Sequence, residues 1–343
     1  MAFRQIATME IKTSPMDPLA PVAEICARHH VKCSPAEFQA AVNVAFHRFE
    51  SEHYDEFHQN MWESLPAQVN LLAEDCLRAG VPQPIRMLDI GCGTGLATDC
   101  VMRSPLADKI ESIDLLDTSS AMLARAQARR SGWARPGEAI EGLVESLLNN
   151  DGTARKPYNL IITCSVLHHV PDLGSFLRAV TALQLGQPAS FIHLQDPNGD
   201  FLKDPELQRR IASTAPKTPE WLARFAPQRV LGRLVREIKG EQGVDYISQT
   251  NQELIQKGLI DSPLSVADIF AITDIHAQEG EGISIQQIGS LLPAYTLLSS
   301  RAYGFFGKLA SELPPSQRAV EEKLIQQRAL NGFHIEALWR SRL

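Results

Sequence analysis

The sequence predicts an α/β protein with a mostly parallel sheet, helices before it and a helical insertion after its fifth strand. Three observations carry this. Short apolar runs alternate with helical periodicity from Ile85 to Gln195, and strand–helix alternation of this kind builds a parallel sheet. A glycine-rich turn, Gly91-Cys-Gly93-Thr-Gly95, follows the first of those runs. The alternation then stops, and residues 200–282 read as helices and loops interrupted by proline.

In chain order, residues 1–16 read as loosely ordered. From Leu19 to about Gly80 the pattern is helical: Leu19, Val22, Ala23 and Cys26 recur at three and four, as do Phe38, Val42, Phe46 and Phe49. One helix is expected to carry Phe46, Phe49, His53, Tyr54, Phe57, His58 and Trp62. Pro82 and Pro84 break the chain before the strand Ile85–Ile90. A helix through Ala97–Met102, a strand Ile110–Leu116, and a helix from Ser120 to Arg130 capped by Ser119 and stopping at Gly132 follow. Ala139–Val144 is the third strand. Tyr158–Cys164 is nearly all apolar, as a central parallel strand buried on both faces should be. The helix Leu173–Gln184 leads to a fifth strand, Ser190–Gln195. Tyr295–Ser300 and Phe333–Trp339 are the last two strands, with a helix Pro315–Ala329 between them. The expected organisation is a helical lid segment over 1–84, a core over 85–196, a helical cap over 197–282, and a part completing the sheet over 283–343.

A chain of 343 residues can bury a sizeable core. The net charge is −7, without a basic arm, which speaks against nucleic acid because phosphate neutralisation normally leaves a basic stripe. No apolar run has signal-peptide or membrane-spanning length. The six cysteines form no C-x-x-C pair, a usage expected of a reducing cytoplasm. The expectation is a soluble, cytoplasmic monomer or homodimer with no membrane partner.

The turn after the first strand has the spacing G-x-G-x-G, with Asp89 two residues before Gly91. Glycines there allow positive φ and close approach of a ligand to the backbone. A dinucleotide fingerprint, G-x-G-x-x-G, would need its third glycine at residue 96, which is Leu96. Downstream, the second strand ends in Asp117-Thr-Ser119-Ser-Ala-Met122-Leu123.

With these two motifs the chain resembles the class I S-adenosylmethionine-dependent methyltransferases, well over about residues 85–196 and loosely over 283–343. The resemblance implies a seven-stranded Rossmann-like sheet whose last strand is antiparallel, with S-adenosylmethionine as cofactor. It places Gly91, Cys92, Gly93 and Gly95 around the methionine part and Asp89 near its amino group. Asp117 would hold both ribose hydroxyls, with Thr118 and Met122 beside it; Asp114 lies inside the strand and lacks the downstream match. A carboxylate suits a diol because it accepts two hydrogen bonds. Glu145 and the Ser146 amide fall where the family holds adenine, and Cys164 and Ser165 where backbone reaches the methionine end. The family's K-P-G-G turn is replaced by Leu185-Gly186-Gln187-Pro188-Ala189.

The methyl acceptor is less legible. His168 or His169 is the candidate general base, because histidine titrates in the useful range. Asp196 faces the substrate or forms an Asp-Pro turn. Tyr54 turns an aromatic face to the sulfonium, a cation–π contact, or packs. His276, in Asp274-Ile-His276, reads as pocket or surface loop. Cys26, His29, His30 and Cys33 fall on one helical stripe, which cannot surround an ion tetrahedrally, so no metal is expected. Tyr303-Gly-Phe305-Phe306-Gly reads equally as pocket or core. The sequence therefore predicts a small-molecule methyltransferase. An RNA or protein methyltransferase, a cofactor-binding regulator without turnover, and an NAD-dependent oxidoreductase are the rivals.

Overall fold

The computed structural model describes residues 17–214, 246–276 and 282–342. The reading of 1–16, and that of the insertion over 215–245 and 277–281, lie outside them. Seven strands form one sheet: β1 (Ile85–Ile90), β2 (Ile110–Asp117), β3 (Ala139–Glu141), β4 (Leu160–Cys164), β5 (Ser190–Pro197), β6 (Tyr295–Tyr303) and β7 (His334–Ser341). Their order is β3-β2-β1-β4-β5-β7-β6. The first five strands pair in parallel, and β7 runs antiparallel to both β5 and β6.

Alternation along the central strands sorts the core into two layers. Met87, Leu160, Ile162, Ile192 and Leu194 face one side, where they meet α4 (Gln59–Arg78), α5 (Leu96–Met102) and α6 (Ser120–Trp133). Leu88, Ile161, Phe191 and Trp339 face the other, against α7 (Leu173–Leu183) and α11 (Ile285–Leu291). A sheet covered on both faces leaves ligands the crevice beyond the carboxyl ends of its strands. Ser119 caps α6 by accepting from the Met122 amide, while the helix runs through Gly132 to Trp133.

Three expectations need correction. The third strand stops at Glu141 and residues Val144–Leu147 form a 3-10 turn that buries Val144 and Leu147; the adjacent apolar pair Leu143–Val144 looks the same in strand or turn. The long helix over 46–62 is instead three pieces: α2 (Pro35–Glu50), α3 (Tyr54–Phe57) and α4. Glu50 accepts from both His47 Nδ1 at 3.0 Å and His58 Nε2 at 3.2 Å. Eight residues of continuous helix would separate Glu50 from His58 by about 12 Å, so the break is what lets them meet. The Cys26–Cys33 stripe is also interrupted. α1 (Ala20–Arg28) ends before His29, and His30 has φ of 52°.

α1 and α2 do not pack on the sheet. Val22, Ile25, Phe38, Val42 and Phe46 form a separate core with Tyr246 and Leu254 of α9 (Tyr246–Gln256), Ile269 and Ile272 of α10 (Val266–Thr273), and Ile275. The expected lid and cap segments thus share one apolar interior. The remaining described helices are α8 (Pro205–Thr214) and α12 (Pro315–Gln326). Glu321 of α12 accepts from the Gly304 and Phe305 amides, and Phe305 and Phe306 are core. No helix among the described residues is long and apolar enough to cross a membrane.

Candidate active site

The glycine turn leaves β1 with three left-handed residues: Gly91, Gly93 and Gly95 have φ of 65°, 52° and 92°. They serve different ends. A Cβ on Gly91 would come within 2.6 Å of Val166, and one on Gly95 within 3.0 Å of Trp133, whereas a Cβ on Gly93 would meet nothing within 4 Å. Gly91 and Gly95 therefore permit close packing, and Gly93 faces open space. That space is a cleft lined by Tyr54, Met61, Gly91, Cys92, Gly93, Thr94, Leu96, Ala97 and Cys164. Tyr54 comes from α3, so the broken helix is what brings its ring to the turn.

Two carboxylates bracket this turn. Asp89 is fully buried in β1; one oxygen accepts from Thr98 Oγ1 at 2.7 Å, and Oδ1 has no hydrogen-bond partner among the described residues. Burial pushes its carboxyl up to about 7 in spite of the Thr98 hydroxyl. A buried carboxylate oxygen without a donor is costly unless something charged completes it. Asp117 ends β2, where Oδ2 accepts from the Gly93 amide and Oδ1 from the Ser119 amide, both at 2.8 Å. Burial holds its carboxyl above the ordinary range against those two amides. A carboxylate has about four acceptor positions; two are used, and two remain for a vicinal diol. These residues fit an adenosine-bearing, amino-acid-tailed cofactor. Asp114, the rival acid, is committed to Lys156, Tyr158 and the Glu138 amide.

The other cofactor candidates are placed as follows. Thr118 is half-buried at the turn after Asp117, and Met122 is buried in α6. Cys164 lines the cleft, and burial pushes its thiol well above the ordinary range. Ser165, with φ of 60°, gives its amide to the Leu194 carbonyl. Glu145 and Ser146 are exposed on the 3-10 turn, outside the cleft lining. The Ser146 amide, expected to reach adenine, donates to Leu143 within that turn.

Beyond Ser165, residues Leu167–His169 form a second 3-10 turn. His168 Nδ1 lies 2.9 Å from Asp196 Oδ1, and both residues are buried. Parallel pairing of β4 with β5 brings them together across 28 positions of sequence. Burial raises the Asp196 carboxyl, yet His168 and His193 more than offset it and hold it below the carboxylate range. His169 differs. Its Nδ1 donates to the Thr273 carbonyl at 2.6 Å, and burial with the neighbouring His168 drives it down to about 3.

The helical segments before and after the sheet both grip this turn. Gln39 of α2 donates to the His169 carbonyl at 3.0 Å. His276 donates from its amide to the His168 carbonyl at 3.1 Å and from Nε2 to the Val170 carbonyl at 2.8 Å. His276 thus ties the segment after α10 to the turn. The His47 ring lies 5.6 Å from that of His169. His168, His169 and Asp274 offer ligand-type atoms within 4.8 Å of one another, at positions unrelated to the Cys26 stripe. Sequence reasoning missed Gln39, His47, Asp55 and Arg129; only the aromatic run around Tyr54 pointed to their neighbourhood.

Residues 88–184 match the family described as a methyltransferase domain. The chain is similar to a highly reducing polyketide synthase of Aspergillus carbonarius, 23% identical over 272 residues that make up 74% of this chain and 10% of that protein. It is also similar to trans-aconitate 2-methyltransferase of Methylobacterium nodulans, 34% identical over 143 residues, 40% of this chain and 48% of that protein. The chain spans a tenth or less of the two polyketide synthases it matches and about half of the aconitate enzyme. Among solved structures, the plantazolicin methyltransferase BpumL in complex with SAH overlaps 90% of this chain and 97% of its own, with 11% identity and a TM-score of 0.45.

Proposed function

We propose that this chain, whose residues 88–184 match the methyltransferase domain family, binds S-adenosylmethionine over the glycine turn and methylates a small molecule held between that turn and the helical segment after β5. The observation that carries the reading is the continuity of two sites. β4 lines the cleft through its last residue, Cys164, and four residues later the chain presents His168, paired with Asp196.

When bound, the cofactor supplies a methyl group on a positively charged sulfur, which needs no further activation. The Asp89 carboxylate would hold the cofactor's ammonium and the two open positions on Asp117 its ribose diol, with Gly93 between them. Tyr54 closes the cleft with an aromatic ring, a surface that favours a neighbouring cation. Asp196 accepts from His168 Nδ1 and so leaves the Nε2 lone pair to take a proton from a hydroxyl, amine or acidic carbon. A base needs a pKa near the working pH; at about 3, His169 is too weak and acts as a neutral wall. The helical segments on either side of the turn would cover the acceptor and keep water from the reacting pair. The net charge of −7 favours a metabolite over a polyanion.

Calorimetry with S-adenosylmethionine beside NAD tests the donor; binding of NAD alone defeats the proposal. Formation of S-adenosylhomocysteine across a panel of hydroxyl, amine and carbon acceptors tests turnover. Tight cofactor binding without any product favours a regulator, and steeply salt-dependent RNA binding with RNA methylation favours the macromolecular reading.

Asp89 adds a pH signature. Below its folded value of about 7 the acid is protonated and must release that proton before accepting from an ammonium. Cofactor affinity is expected to rise by up to about tenfold per pH unit towards that value and to fall again above about 8, where the cofactor's own ammonium loses its proton. Asp89→Asn flattens the slope; a wild-type profile already flat there places the ammonium elsewhere.

A further inference from the structure

We propose that Asp55 is a positioning residue that seats the Tyr54 segment on the glycine turn and thereby sets how long the cofactor stays bound. The inference rests on the cofactor reading above. Asp55 Oδ1 accepts from Thr94 Oγ1 at 2.7 Å and from Trp62 Nε1 at 3.0 Å, and Oδ2 pairs with Arg129 Nη2. Arg129 also donates from Nε to the Thr94 carbonyl at 2.8 Å, and its guanidinium lies 4.3 Å over the Trp62 ring. Thr94 stands between Gly93 and Gly95 and is buried. Three elements, the glycine turn, α4 and α6, thus converge on one carboxylate of α3.

The chemistry requires a carboxylate. All three partners are donors, and an amide would offer one acceptor oxygen and turn its own N–H groups on the rest. It is also what α3 needs. The helix is a single turn of four residues, with no buried side chain and no side-chain cap, and one isolated turn has no stability of its own. No side chain of α3 is buried in a core; polar contacts hold it, the Glu50–His58 bond across its ends and Asp55 against the glycine turn. The pair with Arg129 is about one-third exposed on both sides, so it can open without breaching the core. Tyr54, the adjacent residue, lines the cleft and travels with it.

Asp55→Ala is expected to weaken S-adenosylmethionine binding about tenfold, chiefly through faster dissociation, with unfolding temperature little changed. Arg129→Ala should cause a similar loss, and the double variant less than the sum of the two, because the single variants share the Asp55–Arg129 contact. Additive losses, or an unchanged dissociation rate, overturn the proposal. Trp62 supplies a readout without cofactor: Asp55→Ala should shift indole emission, and the shift should vanish in a Trp62→Phe background. A wild-type chain that binds no S-adenosylmethionine defeats the cofactor reading instead. Trp62 emission, with proteolysis across residues 50–58, then decides whether Asp55 seats the segment.

Discussion

His168→Ala is expected to lower the turnover of methyl transfer by about 10²–10⁴-fold, the usual contribution of a positioned general base, while cofactor affinity stays near that of the unaltered chain. The split follows from the layout. His168 is absent from the cleft lining but bonded to the buried Asp196, so its loss removes a proton acceptor and leaves the donor site intact. Asp196→Asn should lower turnover by a comparable factor, since an amide can present its NH₂ to the ring and reverse the tautomer. His169→Ala should leave most activity. Single-turnover rates beside calorimetry separate the outcomes, with circular dichroism excluding misfolding. A dead His169 variant with an active His168 variant would reassign the base.

Asp117→Ala should weaken S-adenosylmethionine binding by roughly 1.5–3 kcal/mol, about 10- to 150-fold, when charge-assisted bonds to the ribose are lost. The same change frees the Gly93 and Ser119 amides, so the turn itself loses an anchor. Because burial holds this carboxyl above its ordinary range, its removal relieves a buried charge as well, and the chain should stay folded. Calorimetry on the folded variant is the measurement. Unchanged affinity would place the ribose elsewhere.

The sheet and the glycine turn are legible in the sequence because their physics is local. Leu160–Cys164 is almost uniformly apolar since both its faces are covered, and the G-x-G-x-G spacing reflects backbone angles that only glycine adopts easily. The pairing of His168 with Asp196 was not legible: it depends on two strands lying side by side. Both residues were singled out, one as a base and the other as a substrate contact. The break after Glu50 left no mark either, since no glycine or proline occupies residues 50–59 and the aromatic periodicity continues through it. Asp55 is, in sequence, one more acid on a helical pattern. Glu145 shows the opposite failure. Its place after the third strand fits the motif, while the structure leaves its side chain exposed and the Ser146 amide bonded to Leu143.

The interior shared by α1, α2, α9 and α10 has a consequence for redesign. Two stretches some two hundred residues apart form one interchangeable module, like two halves of a clamp cast together. Grafting a foreign cap onto this chain would strip Val42 and Phe46 of their neighbours Tyr246 and Ile269 and leave a greasy scar, unless residues 19–50 came with it. Changes of acceptor among relatives should therefore arrive as paired exchanges, with the N-terminal helices and the distant insertion inherited as one cassette.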